Sequence, residues 1–455
     1  MTMVTVGKFG GEPLKDAKSL VWVVENIIAK DPDLRVIVPS APAGITNLLT
    51  KAAEHRYRGQ DGMQEIDEVN GQFKQTAHDI RMALSELQFE ELSRAIREDG
   101  GYKTEKQYVD AIAPHGERRN ARMLAHVMGQ AGLKTAIYFP ESGLITDGRF
   151  GNAKVLPESY AKVGSNIRDL LQQEFRVIVP GFYGVDHRGS FTTFKRGGSD
   201  YSEAVIANAI DADLAENYKD VDGVKQADPT VVKNAETIAH MNYDELEEMG
   251  MIGSKVIQFD AIAPLIAKGI PLRVRSVRHL DRKGTLIDGN GSKGYAGITG
   301  ISHRDNCYRL SLFRRGISNV RGYGAAFYNE LSEHGVSYAY TADASNTIEV
   351  LLHSVRQDKV EEVREALLTN PTLSPDSVTV QSGKTIIGVV AQGLEMQPGV
   401  GYALMGILKQ DDVNIERLAQ GGPHSIYFVV DGKNGHQAVR ALYQGLREQD
   451  AFKKY

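Results

Sequence analysis

The sequence predicts a layered α/β protein in two parts, a larger mixed domain followed by a smaller unit that occurs twice. Three observations support this reading. Strand-like and helix-like segments alternate through the first half, the pattern of a covered sheet. The hydrophobic pattern then changes across residues 280–294, where DRKGTLIDGNGSKG is rich in Gly, Asp, Lys and Ser. Beyond that stretch the chain weakly repeats itself. A length of 455 residues also exceeds one ordinary hydrophobic core.

In the first part, MVTVGKFGG reads as a strand running into a glycine turn, and LKDAKSLVWVVENIIAK follows with apolar residues at helical spacing. RVIVPSAPAG then ITNLLTKAAEH repeats the plan: a short β-branched strand, a small-residue turn, a helix. Residues 64–98 form a long, charged, mostly helical stretch. KTAIYF and RVIVPGF are further strands, each ending at Pro or Gly, and DLAENYKDVDGV and PLRVRSV are later ones. In the second part, RGYGAAFYNELSEHGVSYAY and PGVGYALMGILKQDDVNIER share one pattern of glycine turn, amphipathic helix, polar turn and strand. Gly322 and Gly399 are 77 positions apart (399 − 322), as are Ser337 and Asn414. Equal spacing at several points is the signature of a duplicated unit.

Composition excludes several classes. Hydrophobic residues at 42% and charged residues at 24% suit a folded, soluble chain. A net charge of −5 and a pI near 6.2 point to neither nucleic acid nor an anionic membrane as partner. Cys307 is the single cysteine, so an intrachain disulfide and a cysteine-based zinc cluster are both impossible; the usage fits a reducing compartment. No segment approaches the roughly 20 apolar residues of a membrane span, and the N-terminus reaches glycines and Glu12 before any signal-length apolar run. Cytoplasm is the expected location. The twelve histidines show no metal-ligand spacing, and H-E-x-x-H and G-x-S-x-G are absent.

The most informative motif is TTFKRGGSD at residues 192–200, which leads into a helical run. A glycine pair before a helix leaves backbone N–H groups open at the positive end of the helix dipole, and Lys195 and Arg196 add two cations there. The same residues could instead form a turn capped by Ser199 or Asp200. A second such turn, Lys8-Phe9-Gly10-Gly11, ends the first strand. A lysine beside paired glycines can approach phosphate as a point charge, although the P-loop spacing and the dinucleotide fingerprint are both missing. Asp220-Val221-Asp222-Gly223 closes another strand; such carboxylates hold Mg²⁺ or a ribose in some proteins and are ordinary turn chemistry in others.

Taken in order, KFGG, SAPAGITNLL, HGER, ITDGRFGNAKV, VPGFYG, TTFKRGGSD, DVDGV and GSKVI resemble the aspartokinase family from end to end, and the tail resembles the paired ACT domains of that family. The resemblance implies a three-layer α/β/α amino-acid-kinase sandwich over residues 1–280, a linker at 281–295, and ferredoxin-like ACT domains at 296–375 and 376–455. It implies ATP and Mg²⁺ as cofactors, an amino-acid substrate, an amino-acid effector at the ACT domains, and a homodimer. Lys8 would contact the transferring phosphoryl group, with Asp200 orienting it. Ser40, Thr46, Glu117 and Arg196 would hold the amino acid. Gly10, Gly11, Gly197, Gly198 and Ser199 would approach the phosphates. Asp220 and Asp222 would lie by the nucleotide, and Lys255 would reach its phosphates.

That cast suits acyl-phosphate formation. A carboxylate with a pKa near about 3.9 needs no general base to attack a γ-phosphate; it needs two repelling anions aligned and neutralised. Several positions depart from the family pattern: Glu12-Pro13 after KFGG, Lys195 before RGGSD, Asn120 after HGER, Lys219 before DVDG, and GSKVIQF. In the first ACT copy Ala339 and Ser345-Asn346 stand at the family's lysine-sensing acidic positions. The leading reading is phosphorylation of the aspartate side chain in the lysine, threonine and methionine pathways. Two others stand beside it: a specialised paralogue acting on another carboxylate, and an inactive amino-acid sensor.

Overall fold

TVGKF at Thr5–Phe9 is buried at every position, and LRVIVP at Leu34–Pro39 at all but Arg35. Strands buried on both faces belong to a parallel sheet covered by helices. The computed structural model describes residues 3–97, 101–195, 197–254, 256–290 and 296–453. It divides into two units, residues 1–224 with 256–289, and residues 225–255 with 290–455.

The sheet of the first unit has the strand order Thr135–Ile137, Arg176–Ile178, Leu34–Pro39, Thr5–Phe9, Leu214–Lys219, Leu272–Ser276, Thr285–Asp288. All run parallel except Thr285–Asp288, which returns antiparallel to its neighbour. Phe9 and Ile37 point into a core built with the helices Ala17–Val23, Ile45–Tyr57, Met63–Asp79 and His115–Gln130. Alternation along the strand sends Val6 and Lys8 to the other face, where helix Gly198–Ile210 packs. Every residue of that helix except Tyr201 is buried, its apolar C-terminal half and its polar first turns alike, and Pro157–Gln172 and Phe259–Lys268 flank it. The long charged stretch at 64–98 is broken rather than continuous: Arg81 and Gln88 adopt positive φ (56° and 51°) around a short 3-10 turn at Leu84–Leu87. The Gly-rich stretch from 281 contains strand Thr285–Asp288, because TLID alternates buried and half-buried side chains against Leu272–Ser276.

In the second unit a six-stranded antiparallel sheet has the order Tyr338–Asp343, Thr347–Leu352, Gly300–Phe313, Ser377–Val390, Ser425–Asp431, Arg417–Gly422. The duplication read from the sequence is visible in the backbone. Strands Gly300–Phe313 and Ser377–Val390 begin 77 residues apart (377 − 300) and have equal length. Helices Tyr323–Glu333 and Val400–Gln410 keep the same offset, each entered through a left-handed glycine, Gly322 (φ 73°) and Gly399 (φ 83°). The two long strands pair from Gly300–Val390 to Phe313–Ser377, so both copies share one sheet. Residues 225–255 group with this unit, not with the first. Their helix, Tyr243–Ile252, starts with a reciprocal cap between Asn242 and Glu245, and its Glu248 accepts hydrogen bonds from Ser425 and Tyr427 at 2.6 and 2.7 Å. Among the described residues no helix is long and apolar enough to cross a membrane.

Candidate active site

Three parallel strands of the first unit end side by side: Thr5–Phe9 at Gly10-Gly11, Leu34–Pro39 at Ser40, and Leu214–Lys219 at Asp220. Crevices at the carboxyl ends of such strands are where open α/β sheets hold ligands. Two of the glycines there are sterically required. A Cβ on Gly11 would lie 2.7 Å from the Ala41 carbonyl oxygen, and one on Gly198 would lie 2.8 Å from the Phe182 ring. Gly197 caps helix Gly198–Ile210 at φ 86°, a conformation glycine adopts without strain. The first turn of that helix holds Gly198, Ser199 and Asp200, so its open N–H groups face the crevice.

One side of the crevice is a charge network, in which Glu203 Oε1 and Asn217 Oδ1 are buried without a hydrogen-bond partner. The Lys8 ammonium lies 2.7 Å from Asp200 Oδ1, both side chains being under a tenth exposed. Lys219 approaches the other oxygen at 3.6 Å and also donates to the Val256 carbonyl. Asn217, which pairs in register with Lys8, donates to Asp200 Oδ1 at 2.8 Å and to Glu203 Oε2 at 3.0 Å. Burial pushes the Asp200 carboxyl up, but Lys8 first and Lys219 second overcome it and hold the group well below the usual carboxylate range. Glu203, one turn further along the helix, goes the other way: burial and then the Asp200 charge push it up to about 8. Burial lowers the Lys219 ammonium, with Asp200 opposing. The result is two ammonium groups on one ionised carboxylate, a net positive floor beside a helix N-terminus.

The other side is unfinished. Helix His115–Gln130 carries Glu117 in its first turn, wholly buried. Burial pushes this carboxyl up to about 8, outweighing the Ala41 and Glu117 backbone N–H groups and the Thr46 hydroxyl, which favour its charged form. Its Oε2 is buried without a hydrogen-bond partner. Ser40 enters through its backbone: its N–H donates to Phe9 O at 3.0 Å, and its carbonyl accepts from Asn120 Nδ2 at 2.6 Å. A buried carboxyl group with an unpartnered oxygen has room for one further hydrogen bond.

The remaining residues named from sequence are held by other partners, exposed, or outside the described residues. Asp222 is engaged by His279 Nδ1 at 2.6 Å and by Arg282. Asp220 is exposed at its strand end. Arg196 and Lys255 lie outside the described residues. Of the unusual positions, Glu12 is half-exposed and 3.4 Å from Lys15, and Lys195 pairs at the surface with Asp260. Lys219, Asn217 and Glu203 were not anticipated as members of the network; the polar pair Glu216-Asn217 inside an otherwise apolar buried strand was the available signal. In the first repeat Asn346 is occupied by backbone, accepting from the Gly316 N–H at 2.8 Å.

The model of the amino acid kinase family matches residues 3–276. The chain belongs to the amino acid kinase family. An ACT-domain model matches residues 387–446, so this kinase carries the C-terminal regulatory fold that its six-stranded sheet displays. Among its relatives, "Aspartokinase 3" of Bacillus subtilis is 28% identical, covering 96% of this chain and 98% of the relative. "Lysine-sensitive aspartokinase 3" of Escherichia coli is 28% identical over 98% of this chain and 100% of its own length. Among solved structures, E. coli aspartokinase III in complex with lysine and aspartate (T-state) superposes with a TM-score of 0.79 at 25% identity, covering 97% of this chain and 99% of that one.

Proposed function

We propose that this kinase is an aspartate kinase, moving the γ-phosphoryl group of ATP to the side-chain carboxylate of L-aspartate. A carboxylate oxygen attacks the γ-phosphorus and forms the new P–O bond. The bond to the β,γ-bridging oxygen breaks, its electron pair leaves with ADP, and no proton need move. The observation that carries the reading is the pair of complementary sides at one strand edge, a lysine-rich floor beside Lys8 and a buried, open carboxylate at Glu117. The end-to-end likeness to aspartokinases, one of them solved with aspartate bound, supports aspartate as the acceptor.

In this account Lys8 and Lys219 take the developing charge of the transferred group, with Asp200 holding both in place. The N–H groups of Gly11, Gly198 and Ser199 line the phosphates, and Gly10, whose N–H donates to the Tyr218 carbonyl at 3.4 Å, lets the backbone come close. Glu117 receives the α-ammonium, assisted by Ser40 and Thr46, while Arg196 takes the α-carboxylate and Lys255 the nucleotide phosphates. Asp222 acts near the nucleotide through its pairing with His279 and Arg282. A magnesium ion fits as a companion of the nucleotide and not of a protein cage: Asp200 is already neutralised by two lysines, and Asp220 is the exposed carboxylate at the edge. Mg²⁺ keeps phosphate and water ligands with one or two carboxylates, and it would neutralise phosphate charge during transfer.

We further assign two ACT repeats to the chain beyond residue 296 and an amino-acid effector to them, a cytoplasmic homodimer as the working form, and a place at the start of lysine and threonine synthesis; the expected bounds of 1–280 for the kinase domain and 281–295 for a linker give way to a kinase unit of residues 1–224 with 256–289. Hydroxylamine traps acyl phosphates, so the purified protein with Mg-ATP and hydroxylamine should form hydroxamate with aspartate and not with glutamate. Hydroxamate with another acid alone would replace aspartate as substrate, and silence throughout with no ADP release would reject the kinase reading.

A further inference from the structure

The second unit holds a cluster that the kinase reaction leaves unused. His303 and Asp305 sit two apart on strand Gly300–Phe313, so both side chains leave from one face. The strand bulges at Asp305 itself: its register with Ser377–Val390 slips between Arg304 and Cys307, and Asn306 adopts φ 56°. Helix Gly432–Glu448 crosses close to this point because two of its residues lack side chains. A Cβ on Gly435 would meet Thr385 Oγ1 at 2.5 Å, and one on Gly432 would meet the Gly383 carbonyl oxygen at 2.5 Å. The close approach delivers the next residue, His436, to the strand.

The result is a three-donor arrangement. His436 Nε2 lies 3.1 Å and His303 Nε2 3.6 Å from Asp305 Oδ2, and donor atoms of all three residues lie within 4.8 Å of one another. A tetrahedral ion with bonds of about 2.0–2.1 Å has ligand-to-ligand edges of roughly 3.3 Å, which those two distances straddle. Thr385 donates to Asp305 Oδ1 at 2.6 Å; an outer hydrogen bond of this kind orients a ligating carboxylate. Two imidazoles with one carboxylate suit Zn²⁺ or Co²⁺, whereas Mg²⁺ and Ca²⁺ favour all-oxygen sets. Asp305 and His436 are 37% and 54% exposed while His303 is 7% exposed, which gives an entry path and leaves the fourth position to water. The positions 77 further along from His303 and Asp305 are Val380 and Ser382, so the duplicated strand does not repeat the pair.

We propose that His303, Asp305 and His436 bind one divalent transition metal of the Zn²⁺ type, pinning helix Gly432–Glu448 to the central strand of the regulatory sheet. The full-length protein, stripped with a chelator, would be titrated with Co²⁺ by visible absorption and with Zn²⁺ by calorimetry. One saturable equivalent with a tetrahedral Co²⁺ spectrum is expected. His436→Ala and Asp305→Asn should each weaken binding at least about tenfold, and Thr385→Val by about 10–100-fold. His436 is exposed, so His436→Ala should melt like the metal-free wild type, and Zn²⁺ should raise the melting temperature of the wild type alone. Absence of a saturable equivalent in the wild type, or equal Co²⁺ binding by wild type and His436→Ala, would overturn the assignment.

Discussion

Lys8 and Glu117 are both buried ionisable residues of the kinase unit, yet their surroundings differ in one respect. Around Lys8 the charges are paired: Asp200 takes two ammonium groups, and Asn217 bridges Asp200 to Glu203, although Glu203 Oε1 and Asn217 Oδ1 are buried without a hydrogen-bond partner. Around Glu117 one oxygen is buried with no partner. The low pKa of Asp200 and the high pKa of Glu117 express that difference, since both carboxylates are deeply buried and only one has cations beside it. A phosphate floor needs fixed cations before the nucleotide arrives, because preorganised charge costs no rearrangement during transfer. A receptor for a substrate ammonium needs the opposite, a carboxylate whose partner is the substrate itself.

Removing a charge from the paired side should have the largest effect. Lys8→Ala should lower kcat on the order of 10²–10³-fold. It should also destabilise the fold toward the lower end of the about 3–5 kcal/mol typical of a broken buried pair, because Lys219 and Asn217 still answer Asp200. A kcat within a few-fold of wild type would show that the network is structural only. On the open side the effect should fall on binding. Glu117→Gln should raise KM for the amino acid by roughly 10–100-fold, the worth of one charge-assisted hydrogen bond of about 1.5–3 kcal/mol, and should lower kcat less. Its stability should carry an opposite sign. The Glu117 pKa rises on folding from 4.5 to about 8, so the folded state keeps a proton that the unfolded chain releases. The associated stability is complete below the unfolded value and is lost as pH climbs through the folded one. Melting curves of wild type and Glu117→Gln should therefore diverge from about pH 5 to 8, with the variant gaining; parallel curves would remove Glu117 from the account. The smallest change belongs to Glu12→Thr. The Glu12–Lys15 pair is half-exposed, so stability should move by less than about 1 kcal/mol and kcat should hold, while a large rise in kcat would place the Glu12 carboxylate among the phosphates.

Local patterns made much of this legible. KFGG and RGGSD announced a glycine turn after a strand and a helix start, and the 77-residue offset announced the repeat that Gly300–Phe313 and Ser377–Val390 display. The resemblance directed attention to Glu117, though periodicity places it only on a helix. The second cation on Asp200 was not legible, because it depends on the parallel register that sets Asn217 opposite Lys8 and brings Lys219 to the same edge. Strand partners distant in sequence leave no periodic trace. The grouping of residues 225–255 with the second unit is hidden for the same reason: the contacts of Glu248 with Ser425 and Tyr427 span 177 and 179 positions.

The most direct test is a count of protons. Aspartate would be titrated into the protein near neutral pH in two buffers of different ionisation enthalpy. A carboxyl held at about 8 must ionise to meet the substrate ammonium, so about one proton should be released per aspartate bound, and residual binding to Glu117→Gln should release none. Tight binding with no proton released, or release unchanged in Glu117→Gln, would contradict the division of the crevice into a neutralised side and a waiting one.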